Sequence, residues 1–187
     1  MRLVVGVTGA SGAIYGYTLI KVLAGLGLEV HAVYTEMGRK VLTYECGLTM
    51  ADLMPYAVVY DNSDLFAAVA SGSFKTGGMV VVPCSMHTLG ALATASGRDL
   101  LTRAADVTLK EGRRLIVVPR ETPVTAIHLT NMLALAQAGA VVMPAAPVFY
   151  HRPETLDELI HCMVGKILDG FGLEHSLYKD RGEFRPD

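Results

Sequence analysis

A chain of 187 residues is long enough for one domain with a sizeable core. Apolar residues make up 51% of it and charged residues 18%, which predicts either a large buried fraction or an assembly that hides part of the surface. A net charge of −2 without a long basic run points away from nucleic acid, and no apolar run approaches the ~18 residues of a membrane span.

From the first residues the chain enters an apolar strand without a signal-peptide cleavage pattern, which predicts a cytoplasmic protein. Cys46, Cys84 and Cys162 lie far apart with no C-x-x-C pair, as suits a reduced compartment and neither a disulfide framework nor a zinc site. In chain order, strand 2–8 leads to helix 12–26, strand 29–35 to helix 36–47, and strand 56–60 to helix 64–71. Strand 79–83 leads to helices 88–96 and 99–111, strand 114–119 to helix 124–138, and strand 140–143 to helix 153–171. Thr122-Pro123 reads as a cap followed by proline at the first helical position, and Pro153 with Glu154 as the opening of the last helix. The strands are Val-rich and continuous rather than alternating, as strands buried on both faces are. The fold class is therefore α/β: a Rossmann-like three-layer sandwich around a mostly parallel six-stranded sheet. No linker interrupts it, so residues 1–187 form a single domain in which 173–187 is a C-terminal tail.

Between the first strand and helix stands VTGASGAIYG (7–16). Its glycines let backbone approach a ligand, and a helix N-terminus attracts anions. It is neither G-x-G-x-x-G nor G-x-S-x-G, which leaves a mononucleotide or flavin contact beside a plain tight turn. Three later strands end alike, in VVVP (80–83), IVVP (116–119) and VVMP (141–144). Proline cannot donate to a ladder, so each marks a carboxyl end. Just beyond stand Cys84-Ser85-Met86-His87-Thr88, Arg120-Glu121-Thr122 and Phe149-Tyr150-His151-Arg152. Ligands of open parallel sheets bind at this edge, so these segments and the glycine loop converge on one crevice.

Single residues leave alternatives open. Ser85 and Thr88 suit a phosphate or ring, and Ser85 equally suits an N-cap. Cys84 reads as a small buried filler rather than a nucleophile. Lys110 ends a helix, where it complements the dipole, and Lys166 sits at the edge of an apolar stripe, where lysines snorkel. Arg120 and Glu121 are an ion pair or a site, and Tyr150 a packed ring or a ligand contact. Glu45 ends a helix, the unfavourable end for an acid, which points to a reason outside that helix.

Together, GASGAIYG, PCSMHTL, LLTRAADVTLKEGRRLIVVPRETP, HLTNMLALAQAGAVVMPAAPVFYHRP and the last helix resemble the UbiX-type flavin prenyltransferases over roughly residues 2–172. The resemblance implies an FMN-binding domain in a homo-oligomer, often a dodecamer of trimers, with the site at subunit contacts and no metal. It implies transfer of the dimethylallyl group of dimethylallyl phosphate to N5 and C6 of reduced FMN, and prenylated FMN delivered to a UbiD-type decarboxylase. By the same resemblance Gly9, Ala10, Ser11, Thr35, Ser85, Met86, His87, Thr88 and Arg120 contact FMN, with Ser11 near N5. Lys110, Arg120, Tyr150 and Lys166 gather round the prenyl phosphate, with lysine at the last position where the family commonly has arginine. Glu45 and Glu121 move protons. The family's C-terminal tryptophan is missing, and Arg181 stands near its place. The alternatives are a flavin-dependent decarboxylase of aromatic acids or peptidyl-cysteine, and a non-catalytic FMN carrier.

Overall fold

The computed structural model describes residues 1–178, so Arg181 lies outside the described residues. Six parallel strands form one sheet: β1 Arg2–Val7, β2 Glu29–Tyr34, β3 Val58–Asp61, β4 Gly78–Cys84, β5 Arg114–Pro119 and β6 Val141–Val142. Their spatial order is β3-β2-β1-β4-β5-β6. The chain steps outward from β1 to β3, then returns to the other side of β1, and this reversal makes a switch point between β1 and β4.

Side chains of successive strand residues point to opposite faces, so each strand feeds two cores. Leu3, Val5 and Val7 of β1 pack with α1 (Ala13–Gly25), α2 (Glu36–Cys46) and α6 (Leu156–Gly170). Val4 packs on the other face with α3 (Met86–Ala93), α4 (Leu100–Lys110) and α5 (Ala126–Gln137). Helix α1 approaches closely because a Cβ on Gly16 would come within 2.7 Å of both Val7 and the Val82 carbonyl. None of the helices of the described residues is long and apolar enough to cross a membrane.

The structure departs from the sequence reading at four boundaries. Residues 64–71 hold only the short 3₁₀ turn Ala68–Ala70. The Asp61 and Asp64 side chains accept the N–H groups of Ser63 and Phe66, and these local bonds compete with a helix. The third strand begins at Val58, because Tyr56 and Ala57 still donate to the Leu53 carbonyl in a turn. Helix α5 begins at Ala126, where Thr125, and not Thr122, accepts the His128 N–H. Helix α6 begins at Leu156, capped by Thr155 through the Glu158 N–H rather than opened by Pro153.

Candidate functional site at the carboxyl edge of the sheet

The glycine loop occupies the switch point. A Cβ on Gly9 would stand 2.5 Å from the Met37 Cβ, so glycine lets the first turn of α2 close over the loop. Gly12 precedes α1 at φ 98°, in the left-handed region that favours glycine, and has no side chain with which to cap the helix. Glu45 supplies the missing cap from the far end of α2. Its Oε2 accepts the N–H groups of Gly12 at 2.9 Å and Ala13 at 3.2 Å. The position that is unfavourable in α2 is favourable for α1, whose positive end the carboxylate meets.

Burial works against the charge on Glu45. Hydrogen bonds from the Ser11 hydroxyl and the two backbone donors, together with the Arg120 charge, outweigh it and hold the carboxyl below the usual range. Arg120, just past β5, is anchored by its own N–H to the Cys84 carbonyl at 3.2 Å. Its charge also reaches Tyr15, whose phenol burial raises and Arg120 partly restores. Ser11, Glu45, Tyr15 and Arg120 thus share one electrostatic neighbourhood.

Thr35 and Ser85 frame this cluster as helix caps. Thr35 accepts the Gly38 N–H at 3.0 Å and donates its own N–H to the Val7 carbonyl, which ties β2 to the glycine loop. Ser85 accepts the Thr88 N–H at 3.3 Å and donates its hydroxyl to Thr88 Oγ1 at 3.2 Å. Met86 and His87 form the first turn of α3, where helix geometry leaves backbone donors without intrahelical partners. Cys84 is fully buried, and burial pushes its thiol up, as befits a filler. The Glu121 carboxylate accepts the Thr122 N–H at 3.0 Å and stays exposed. Tyr150 lies beyond β6, with its ring edge-on to His151 at 5.8 Å between centroids.

Two expected residues stand elsewhere in the chain. Lys110 is the last residue of α4, paired with Glu111 beside the Gly72 loop that leads into β4. That is the amino edge of the sheet. Lys166 lies near the end of α6, whose Gly170 carbonyl accepts from Arg114 at the start of β5. It pairs with Asp169 at 3.2 Å. A single chain therefore does not gather Lys110, Arg120, Tyr150 and Lys166 at one point, because α4 and α6 end where the strands begin.

The sequence reading passed over Thr8 and Tyr15. Thr8 is fully buried, donates to the Pro83 carbonyl at 2.8 Å and accepts the Ser85 N–H at 2.7 Å. It bolts the ends of β1 and β4 together under the site. A hydroxyl closing an apolar strand directly before the glycines was the available signal.

The donors round the switch point are hydroxyls, backbone N–H groups at a helix start and the Arg120 guanidinium. They suit a flat ring rich in hydrogen-bonding atoms with an anionic tail, and so fit a flavin mononucleotide. The comparisons agree. A model of the family described as Flavoprotein matches residues 1–168. The flavin prenyltransferase UbiX of Deinococcus radiodurans is 50% identical over 173 residues, covering 92% of this chain and 89% of that protein. The crystal structure of AnUbiX in complex with FMN and dimethylallyl pyrophosphate superposes with a TM-score of 0.96 at 40% identity, covering 98% of each chain. A dodecameric FMN-dependent UbiX-like decarboxylase from Escherichia coli O157:H7 superposes at 0.93 with 42% identity, covering 96% of this chain and 98% of that one. The FMN-dependent cysteine decarboxylase SpaF, at 20% identity and a TM-score of 0.62, shares the fold alone.

Proposed function

Because this chain belongs to the flavoprotein family and, within it, to the UbiX-type flavin prenyltransferases, we propose that it joins the dimethylallyl group of dimethylallyl phosphate to N5 and C6 of reduced FMN. The observation that carries the reading is the Glu45 carboxylate held at the switch point by the Gly12 and Ala13 N–H groups, beside Ser11 and within the field of Arg120.

Reduced FMN supplies an electron-rich N5 and C6. The residues supply the rest. Gly9, Ala10 and Thr35 form the wall on which the flavin lies, with Ser85, Met86, His87 and Thr88 opposite. Glu45 accepts the Ser11 hydroxyl proton in a hydrogen bond, which leaves the Ser11 oxygen to accept from N5–H of the reduced flavin. The ester C–O bond breaks and phosphate leaves with the electron pair. Preorganised cations and hydroxyls stabilise that departing charge, and Lys110, Arg120, Tyr150 and Lys166 are suited to the task. In a homo-oligomer with its site at subunit contacts, the lysines on the amino edge of one copy face the crevice of the next. Glu121 and Glu45 take up and return the protons exchanged as the new ring closes. The product serves a UbiD-type decarboxylase, and the protein works in the cytoplasm.

Anaerobic incubation with reduced FMN and dimethylallyl phosphate tests the reading by mass spectrometry of the released flavin. A gain of one prenyl unit is expected, and unchanged FMN overturns the proposal. Glu121→Gln separates an enzyme from an FMN carrier: the enzyme keeps FMN and loses turnover, whereas a carrier is indifferent.

A further inference from the structure

Helix α4 ends in a tight cap that also holds the loop leading into β4. Gly112, at φ 65°, turns the chain so that its own N–H donates to the Leu109 carbonyl and the Arg113 N–H to the Thr108 carbonyl, both at 2.9 Å. The cap fixes the backbone of Arg113, and the guanidinium reaches back over the loop. Its Nη1 donates to the Phe74 carbonyl at 2.9 Å and its Nη2 to the Gly72 carbonyl at 2.6 Å. Arg103, two turns back on α4, donates to the Ala70 carbonyl at 3.3 Å. The Phe74 ring is held by other groups, with the Arg2 guanidinium 4.8 Å from its centroid and the His31 ring edge-on at 5.0 Å.

So clamped, the loop lies against the pair formed by Lys110 and Glu111. A Cβ on Gly72 would come within 2.8 Å of Glu111 Cδ and 3.1 Å of Lys110 Nζ. The Lys110 bond and charge and, more weakly, the Arg113 charge hold the Glu111 carboxyl below the usual range. An ion pair at the surface is weak and does not by itself keep a lysine in one place. A fixed stretch of backbone beside the pair removes many of the rotamers open to a long side chain.

We infer that Arg113 is a positioning residue for Lys110: by pinning the 70–74 loop it walls the lysine in and presents its ammonium at a fixed point. The inference rests on the reading that Lys110 of one copy meets the prenyl phosphate held by the next. Departure of the phosphate calls for a cation already in place, and a point charge on a four-carbon stem meets that need only where the stem is confined. Lysine cannot take over at 113, because one ammonium lacks the planar fork that spans the Gly72 and Phe74 carbonyls.

The test measures kcat/KM for dimethylallyl phosphate, and the FMN Kd by flavin fluorescence, in the full-length protein at its wild-type assembly size. R113Q should lower kcat/KM roughly ten- to a hundredfold and leave the FMN Kd unchanged, because Lys110 is assigned to the ester and not to the flavin. R113K should recover little of the loss. G72A adds a methyl against the mobile ends of Glu111 and Lys110, so it should fold as the wild type does and still lower kcat/KM, which keeps the inference testable where R113Q does not fold. In a K110M background, R113Q should change nothing further, whereas a merely structural role would add its loss to that of K110M. Additive losses overturn the inference, as does a wild-type kcat/KM in both R113Q and G72A. A wild-type kcat/KM in K110M overturns the assignment of Lys110 to the phosphate instead, and the role of Arg113 falls with it. A wild type that prenylates no FMN overturns the prenyl-transfer reading, and titration calorimetry with inorganic phosphate on the same variants then decides the positioning role.

Discussion

Removing the Glu45 carboxylate should loosen the start of α1, and the geometry sets how far. Glu45 accepts two backbone donors that no side chain of Gly12 can satisfy. Losing an N-cap acceptor costs typically about 1 kcal/mol. The helix dipole adds roughly 0.3–1 kcal/mol for a charge at this end. The side chain is exposed, so screening trims the electrostatic part. Glu45→Ala should therefore cost about 1 kcal/mol, which in a chain of this size lowers Tm by about 2–4 °C. Glu45→Gln keeps an acceptor oxygen and should lose less. The pH dependence follows from the lowered carboxyl of the folded state. A group shifted this way stabilises fully above its unfolded value, about 4.3, and the gain fades as pH falls through the folded value. The gap between wild type and Glu45→Gln should be widest near neutrality, begin to shrink as pH falls to the unfolded value, and close only below the folded one. Calorimetric or fluorescence melts would measure it, at fixed protomer and FMN concentrations because ligand and assembly shift Tm. Equal Tm values for wild type and Glu45→Ala at neutral pH would refute the capping argument, and a gap that ignores pH would refute the charge.

Thr8→Val keeps the shape but strands the Ser85 N–H under the site. It should cost roughly 1–3 kcal/mol in denaturant melts and weaken FMN binding measured by flavin fluorescence. Gly12→Ala forces a Cβ into the left-handed region and to 3.0 Å from the Tyr15 ring. A loss of roughly 1–2 kcal/mol is expected, read as a lowered Tm. Gly16→Ala drives a methyl into Val7 and the Val82 carbonyl, and should destabilise by about 1–3 kcal/mol in the same assay.

The strands were legible because burial on both faces writes continuous valine runs, and the prolines marked their carboxyl ends. The false helix at 64–71 had the right composition. It lost to Asp61 and Asp64, whose side chains bond the backbone two residues on. The cap at Thr122 lost to Thr125 for a similarly local reason. The site was legible in part. The glycine loop, Ser85 and Arg120 announced themselves by standing at strand ends. The place of Lys110 was legible as well, because a crossover helix of a parallel sheet ends at the edge where the next strand begins; its assignment to the phosphate came from the resemblance alone.

On the proposed reading, Glu45 serves both fold and chemistry. The bonds from Gly12 and Ala13 that cap α1 also hold the charge that Ser11 and Arg120 share. Substitution at Ser11 should then leave the cap in place, since the two backbone donors remain. Substitution at Glu45 should disturb both the cap and the direction of the Ser11 hydroxyl. Ser11→Ala is therefore expected to lower prenylation with little change in Tm, while Glu45→Ala lowers both. If Ser11→Ala costs as much stability as Glu45→Ala, the serine hydroxyl belongs to the cap, and its assignment near the flavin N5 loses its basis.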